Sequence, residues 1–445
     1  MLQLFSTGII PLWLTTAGIL GDQPAPNWAM LDLLQLNPPD LEIPKLWQTY
    51  VTRWSDQGFS TTNQGFWLQT SDQLLVHHNA LHPLPAASLT KVATSLAALK
   101  TWGPHHQFIT EVRTTGSINN GVLQGDLIIV GSGDPLFVGS EAISLAHSLN
   151  RMGIQRVLGN LVITGSFTMD FQANPLQSGE RLRQGLQGQV YPPTDENSYT
   201  QPPQPLIPKP DVEIAGTVEW ETAVGTSTLL IRHASLPLYA LLKQMNVNSN
   251  NALAEALATA MGGSAVVIAQ GRAVTGIPAE EMVLHNGSGL GSENQLSPRA
   301  AVALLQGIQQ ELQRYQLTLA DVLPMAGRDR GTLTGRKLPT AALVKTGTLW
   351  DVSALAGVIP TRKFGLVWFT IINRGENIDG FRQDQDRILQ LLTQRLGAAS
   401  DLLPQFKPSL PPAVLGDLRR NQIMSNRPPR NLTVYTVTSF DLPLV

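Results

Sequence analysis

Ala86-Ala87-Ser88-Leu89-Thr90-Lys91-Val92-Ala93-Thr94-Ser95-Leu96-Ala97-Ala98-Leu99-Lys100 is the stretch on which the reading of the fold turns. Ala and Leu favour helix, and neither Gly nor Pro falls between Ser88 and Trp102. Pro83 and Pro85 mark an extended approach to it. The spacing therefore predicts a helix from Ser88 to Trp102. Its first turn carries a hydroxyl, Ser88, and an amine, Lys91, three positions apart and hence on one helical face. Such a pair is either a nucleophile with its base or a capping Ser beside a solvated Lys. After Ser95 no polar side chain occurs until Lys100, which suits a helix in a domain core.

The bulk properties narrow the field. A chain of 445 residues exceeds one ordinary domain, and two or three are expected. Charged residues make up 14% and the formal net charge is −2, so there is no electrostatic case for nucleic acid. The absence of Cys excludes disulfides, thiolate catalysis and Cys-based metal sites. The eight His lack metal-ligand spacing; His77-His78 and His105-His106 are adjacent pairs whose side chains diverge. No metal or cofactor is expected. Residues 1–21 are uncharged and mostly apolar, as in a signal peptide or a single membrane anchor. Pro11 and the lack of a preceding Lys or Arg leave a buried N-terminal helix or strand as the alternative.

Along the chain, residues 46–54 show a helical aromatic face, and 65–69 with 73–77 read as a β-hairpin. From about residue 107 strand patterns take over at 108–114, 122–130 and 156–164, with a helix at 141–152 between them. Residues 171–210, rich in Gln, Pro and Gly, read as loop without regular structure, followed by strands at 216–220 and 228–232. Helical patterns cover 238–245, 250–261, 298–315 and 386–396. The apolar runs 342–345, 354–359 and 366–372 have the length of core strands. The proline-bearing tail after 400 reads as a linker and a loosely held terminus.

Two further stretches decide between the readings of Ser88. Ser249-Asn250-Asn251 lies between two helical patterns, and Lys345-Thr346-Gly347-Thr348 ends an apolar strand. Ser-x-x-Lys, Ser-x-Asn and Lys-Thr-Gly in this order form the motif set of penicillin-binding proteins and class A β-lactamases. Acyl transfer needs an activated hydroxyl, a base of suitable pKa, an oxyanion site and a substrate anchor. Ser88 is the candidate nucleophile. Lys91 is its candidate base, provided that burial, the helix N-terminus and other cations such as Lys345 lower its pKa. Ser249 can pass a proton to the leaving amine, and Asn251 can hold Lys91 and a substrate amide. Gly347 would keep a strand edge open to substrate backbone. Lys345, Thr346 and Thr348 would offer a positive charge and hydroxyls to a carboxylate.

On these motifs the chain resembles the D-alanyl-D-alanine carboxypeptidase/endopeptidase family of low-molecular-mass penicillin-binding proteins, in the class with an insertion between the first two motifs. Leu241 to Glu255, Asn286-Gly287-Ser288-Gly289-Leu290, Gly331-Thr332-Leu333 and Ser353 to Gly357 match further family segments, as do Gly125-Asp126-Leu127 and Gly131 to Pro135. The resemblance implies an α+β fold: a split penicillin-binding-protein/β-lactamase-like transpeptidase domain, its antiparallel sheet covered by helices, with an inserted, mainly β domain. The expected division is 1–21 leader or anchor, 28–106 first catalytic part, 107–227 insertion, 228–399 second catalytic part and 400–445 tail. It further implies an acyl-enzyme on Ser88, an oxyanion hole from the Ser88 and Thr348 N–H groups, peptidoglycan stem peptides as substrate and β-lactams as inhibitors. The implied location is exported, periplasmic or associated with the cell envelope, with membrane association resting on residues 1–21. Two departures stand out: Asn286 replaces the Asp that usually opens its segment, and the insertion is short. A β-lactamase, with Glu255 as the carboxylate candidate, and a non-enzymatic peptidoglycan-binding protein on the same fold are the alternatives.

Overall fold

The computed structural model describes residues 42–71, 73–189, 210–398 and 407–424. The 1–21 segment, most of the proline-rich 190–210 stretch and the end of the tail lie outside the described residues. The chain divides into two compact units, one on either side of Gln107/Phe108 and Ser235/Leu236.

The first unit holds described residues 42–107, 236–398 and 407–413. Its centre is a five-stranded sheet built from β1 (Gln64–Gln69), β2 (Leu74–His78), β3 (Leu343–Leu349), β4 (Val352–Thr361) and β5 (Gly365–Arg374). The order is β3-β4-β5-β1-β2, and every neighbouring pair is antiparallel. The three apolar runs of the sequence are the three long strands, buried along most of their length because helices cover both faces. On one face lie helices α1 (Glu42–Asp56) and the C-terminal Ile378–Leu396 helix. Trp47 stacks on Phe66 at 4.2 Å and Trp54 meets Phe381 at 4.3 Å, so the aromatic stripe of α1 is the core of this layer.

The other layer is organised around α2 (Thr90–Trp102), whose residues from Thr90 to Leu99 are all buried. Around it pack α3 (Leu238–Asn248), α4 (Asn251–Met261), α5 (Ser264–Thr275) and α6 (Pro298–Gln313), the last of which also lies on β1 and β5. The Ile378–Leu396 helix is α7. A small sheet of Leu84–Pro85, Gln295–Leu296 and Met282–Val283 sets the approach to α2. The helix expected from Ser88 begins two residues later. Ala87–Leu89 forms a 3₁₀ turn first, and Gly103 ends the helix at φ +75°.

The second unit comprises described residues 108–189, 210–235 and 414–424. A six-stranded sheet runs in the order Val218–Trp220, Leu161–Ser166, Leu127–Ser132, Ile109–Thr114, Thr228–Ala234, Asn421–Ile423. Its first three strands are parallel and the rest antiparallel. Strands dominate, as expected of the insertion, but two helices, Gly139–Arg151 and Pro175–Leu186, complete its separate core. The second helix lies in the stretch read as loop. Asn174 caps it by accepting from Leu176 N–H at 2.9 Å, and Pro175 follows at the first helical position.

Two expected boundaries shift. Thr228–Ala234, assigned to the second catalytic part, pairs with Ile109–Thr114 and buries Leu230 and Ile231 in the second unit's core. The insertion therefore runs to Ser235. The tail after 400 is not uniformly loose: Asn421–Ile423 adds a strand to Thr228–Ala234. There Asn421 Oδ1 accepts from His233 Nδ1 at 2.6 Å, and Asn421 Nδ2 donates to the Ser144 and Ser148 hydroxyls.

Candidate active site

The Ser88 turn is held in place by backbone. Ala86 N–H donates to Asn294 O at 2.8 Å, and Leu89 N–H to Ala86 O at 3.1 Å. Ala87 sits in left-handed space at φ +48°, a conformation that costs a residue with a Cβ roughly 1 kcal/mol or more and persists only where surroundings impose it. Two glycines leave room for it. A Cβ on Gly289 (φ +81°) would stand 1.9 Å from Ala87 O, and one on Gly347 would stand 2.8 Å from Ala86 O. Gly347 thus admits the nucleophile's own turn against β3.

Ser249 supplies the second bend. It ends α3 in left-handed conformation at φ +53°, with its N–H on Met245 O. Asn250 then caps α4 by accepting from Leu253 N–H at 2.8 Å. This tight corner explains Ser-Asn-Asn: one residue breaks the first helix, the next caps the second, and Asn251 opens its first turn.

The structure gathers the five residues Ser88, Lys91, Ser249, Asn251 and Lys345 into two hydrogen-bonded groups. Lys91 Nζ lies 2.9 Å from Ser88 Oγ, 2.7 Å from Asn251 Oδ1 and 2.8 Å from the carbonyl oxygen of Ser288. Lys345 Nζ donates to Ser249 Oγ at 2.9 Å and to Thr346 O at 2.7 Å. Both lysines are fully buried. Ser88, Ser249, Asn251, Thr346, Thr348 and Arg382 line one open cavity of about 380 Å³.

Electrostatics follow from burial. Desolvation lowers the Lys91 ammonium to about 7, against the opposing pull of the Glu255 carboxylate. Burial also pushes Lys345 well below its usual range, and the nearby Lys91 adds to that. Desolvation is thus the largest influence on Lys91. The geometry completes the argument. Asn251 Oδ1 and Ser288 O can only accept, so a neutral amine directs its two N–H bonds at them. Its lone pair is then left facing Ser88 Oγ–H.

Two participants escaped the sequence reading, and Glu255 has a different role from the one weighed for it. The Ser288 carbonyl is the third partner of Lys91, a backbone group that residue types cannot signal. Glu255 accepts from Gly287 N–H at 3.1 Å and Ser288 N–H at 3.0 Å, which aims that carbonyl. Its place four residues after Asn251, on the same face of α4, was the available signal. Asn286 orders the same loop, accepting from Gly289 N–H and donating to Leu290 O, both at 2.8 Å. Arg382 is the second, donating from Nη2 to Thr348 Oγ1 at 2.9 Å.

The chain is similar to known proteins in sequence and in fold. D-alanyl-D-alanine carboxypeptidase DacB of Haemophilus influenzae is 25% identical over 383 residues, covering 64% of this chain and 79% of that protein. Among solved structures, Bd3459, a predatory peptidoglycan endopeptidase from Bdellovibrio bacteriovorus, superposes with a TM-score of 0.66 at 19% identity, over 81% of this chain and 98% of that one. Penicillin-binding protein 4 from Haemophilus influenzae gives a TM-score of 0.59 at 20% identity, covering 78% and 99%. Those two share the fold. The family model for D-Ala-D-Ala carboxypeptidase 3 (S13) matches residues 54–180 and 208–395, which include all three motifs and parts of both units. The chain belongs to the D-Ala-D-Ala carboxypeptidase 3 (S13) family.

Proposed function

We propose that this chain is a serine-type D-Ala-D-Ala carboxypeptidase and/or endopeptidase that acts outside the cytoplasm on peptidoglycan stem peptides. The observation that carries the reading is the Lys91 amine, fully buried, lowered to about 7 and 2.9 Å from Ser88 Oγ. Ser88 Oγ gives its proton to Lys91 Nζ and attacks the scissile carbonyl carbon, forming the C–O bond of a tetrahedral intermediate. The N–H groups of Ser88 and Thr348 stabilise the oxygen that becomes negative. As the intermediate collapses the C–N bond breaks, and the amine leaves with a proton returned from Lys91 through Ser249. Water then repeats the cycle on the ester, with Lys91 again taking the proton, and releases the shortened peptide.

The strained lactam ring of a penicillin presents a similar amide to Ser88, so benzylpenicillin should leave a covalent adduct. The test is intact-mass spectrometry after incubation with benzylpenicillin and with a peptide ending in D-Ala-D-Ala. An adduct of one benzylpenicillin and release of D-alanine are expected from the wild type. Neither is expected from Ser88→Ala, whose turnover should fall by roughly 10⁴-fold or more. A Ser88→Ala variant as active as the wild type would end the proposal.

A further inference from the structure

We propose that Arg382 is the cation that binds the substrate carboxylate next to the scissile amide. This rests on the serine-peptidase reading and assigns, within it, the residue that reads the free carboxylate beside the leaving nitrogen.

The sequence suggests Lys345 for that charge, and the structure takes Lys345 away from it. Its side chain is 0% exposed, and Nζ is turned onto Ser249 Oγ and Thr346 O. Lys91 is equally buried and spends its contacts on Ser88, Asn251 and Ser288. Arg336 also lines the cavity, but its side chain is only 10% exposed, with Nε and Nη2 on Asp386 Oδ1 at 2.9 and 2.7 Å. That guanidinium is already neutralised.

Arg382 differs on each count. It stands in the first turns of α7, lines the cavity and keeps 37% of its side chain exposed. Its acidic neighbour Asp379 is 3.4 Å away and 85% exposed, a water-screened pair that a better-placed carboxylate can displace. A guanidinium has five N–H donors in a planar fork, and the contacts to Thr348 and Asp379 leave several unused. Thr348 Oγ1 accepts from Arg382, so the Thr348 O–H remains to be donated. Thr346 and Thr348 are two apart on β3 and therefore share a face. Two hydroxyls and a guanidinium thus converge beside Ser88, the donor set that suits an anion with two oxygens.

The experiment compares kcat/KM for one peptide ending in D-Ala-D-Ala as the free carboxylate and as the C-terminal amide. The wild type is expected to prefer the carboxylate by about 10- to 100-fold, the usual value of a charge-assisted hydrogen bond. In Arg382→Gln that preference should collapse towards unity. In Arg382→Lys, which keeps the charge but loses the fork, it should be intermediate, and this variant carries the test if the first fails to fold. Equal falls on both substrates, with the preference intact, would show that Arg382 only supports Thr348 and would overturn the proposal. So would a wild type with no preference. A wild type that neither hydrolyses the peptide nor forms a benzylpenicillin adduct would overturn the peptidase reading itself. An acylated wild type whose preference survives in Arg382→Gln would overturn only the role of Arg382.

Discussion

Lys91 is the residue at which burial becomes chemistry. Its amine must be neutral to take the Ser88 proton, and desolvation brings it to about 7. The neutral fraction grows as pH rises, so the rate constant for acylation by benzylpenicillin should climb through pH about 7 and level off above it. A flat profile between pH 5.5 and 9 would contradict the assignment. Glu255 is the opposing charge, since it favours the protonated amine. Glu255→Gln should therefore move the midpoint of that profile to lower pH, even as it loosens the Gly287–Ser288 amides. At Gly347 the effect is steric. A methyl group there would meet Ala86 O at 2.8 Å and Ala87 Cβ at 3.1 Å, so the Ser88 turn must move. Gly347→Ala should fold, keep most of its melting temperature and lose acylation by at least about tenfold, since small displacements of reacting groups are costly.

Elements differed in how plainly they could be read. The α2 helix, the β1–β2 hairpin and the three long strands were legible because apolar periodicity and length both pointed one way. The motif order likewise announced Ser88, Lys91, Ser249, Asn251 and Lys345 as neighbours. What could not be read was how each polar group is oriented. Lys345 looked like an open cation and is enclosed, whereas Arg382, inside an ordinary amphipathic helix, is the exposed one. The Pro175–Leu186 helix was hidden by its Gln and Gly content, although Asn174-Pro175 marked its start. The Asn421–Ile423 strand was hidden because three residues carry no period, and its partner is almost two hundred positions upstream. That strand brings Arg420, which meets the Glu141 carboxylate, itself 1% exposed. Arg420→Met would leave a buried charge facing only Gly416 N–H and an uncharged, desolvated His233. A loss of about 3–5 kcal/mol is expected, read as a lower melting temperature of the second unit.

At the scale of the molecule, the two units have separate cores. One is centred on Trp47, Phe66 and Phe369, the other on Ile129, Leu145 and Ile163. Calorimetry should therefore resolve two unfolding transitions. Removing residues 414–445 should lower only the transition of the second unit, and a single shift of both would refute the separation. The strand order of the first unit has a consequence for timing. β1 completes its pairing only with β5, Gln64 meeting Asn373 some three hundred residues later. Contacts so distant in sequence form late. While the chain is being made, the second unit can close early, apart from its final strand, whereas Ser88 waits for β3 to arrive with Lys345 and Thr348. An unfinished chain thus carries its nucleophile without its site, and the acylating centre stays silent until β3 has been built.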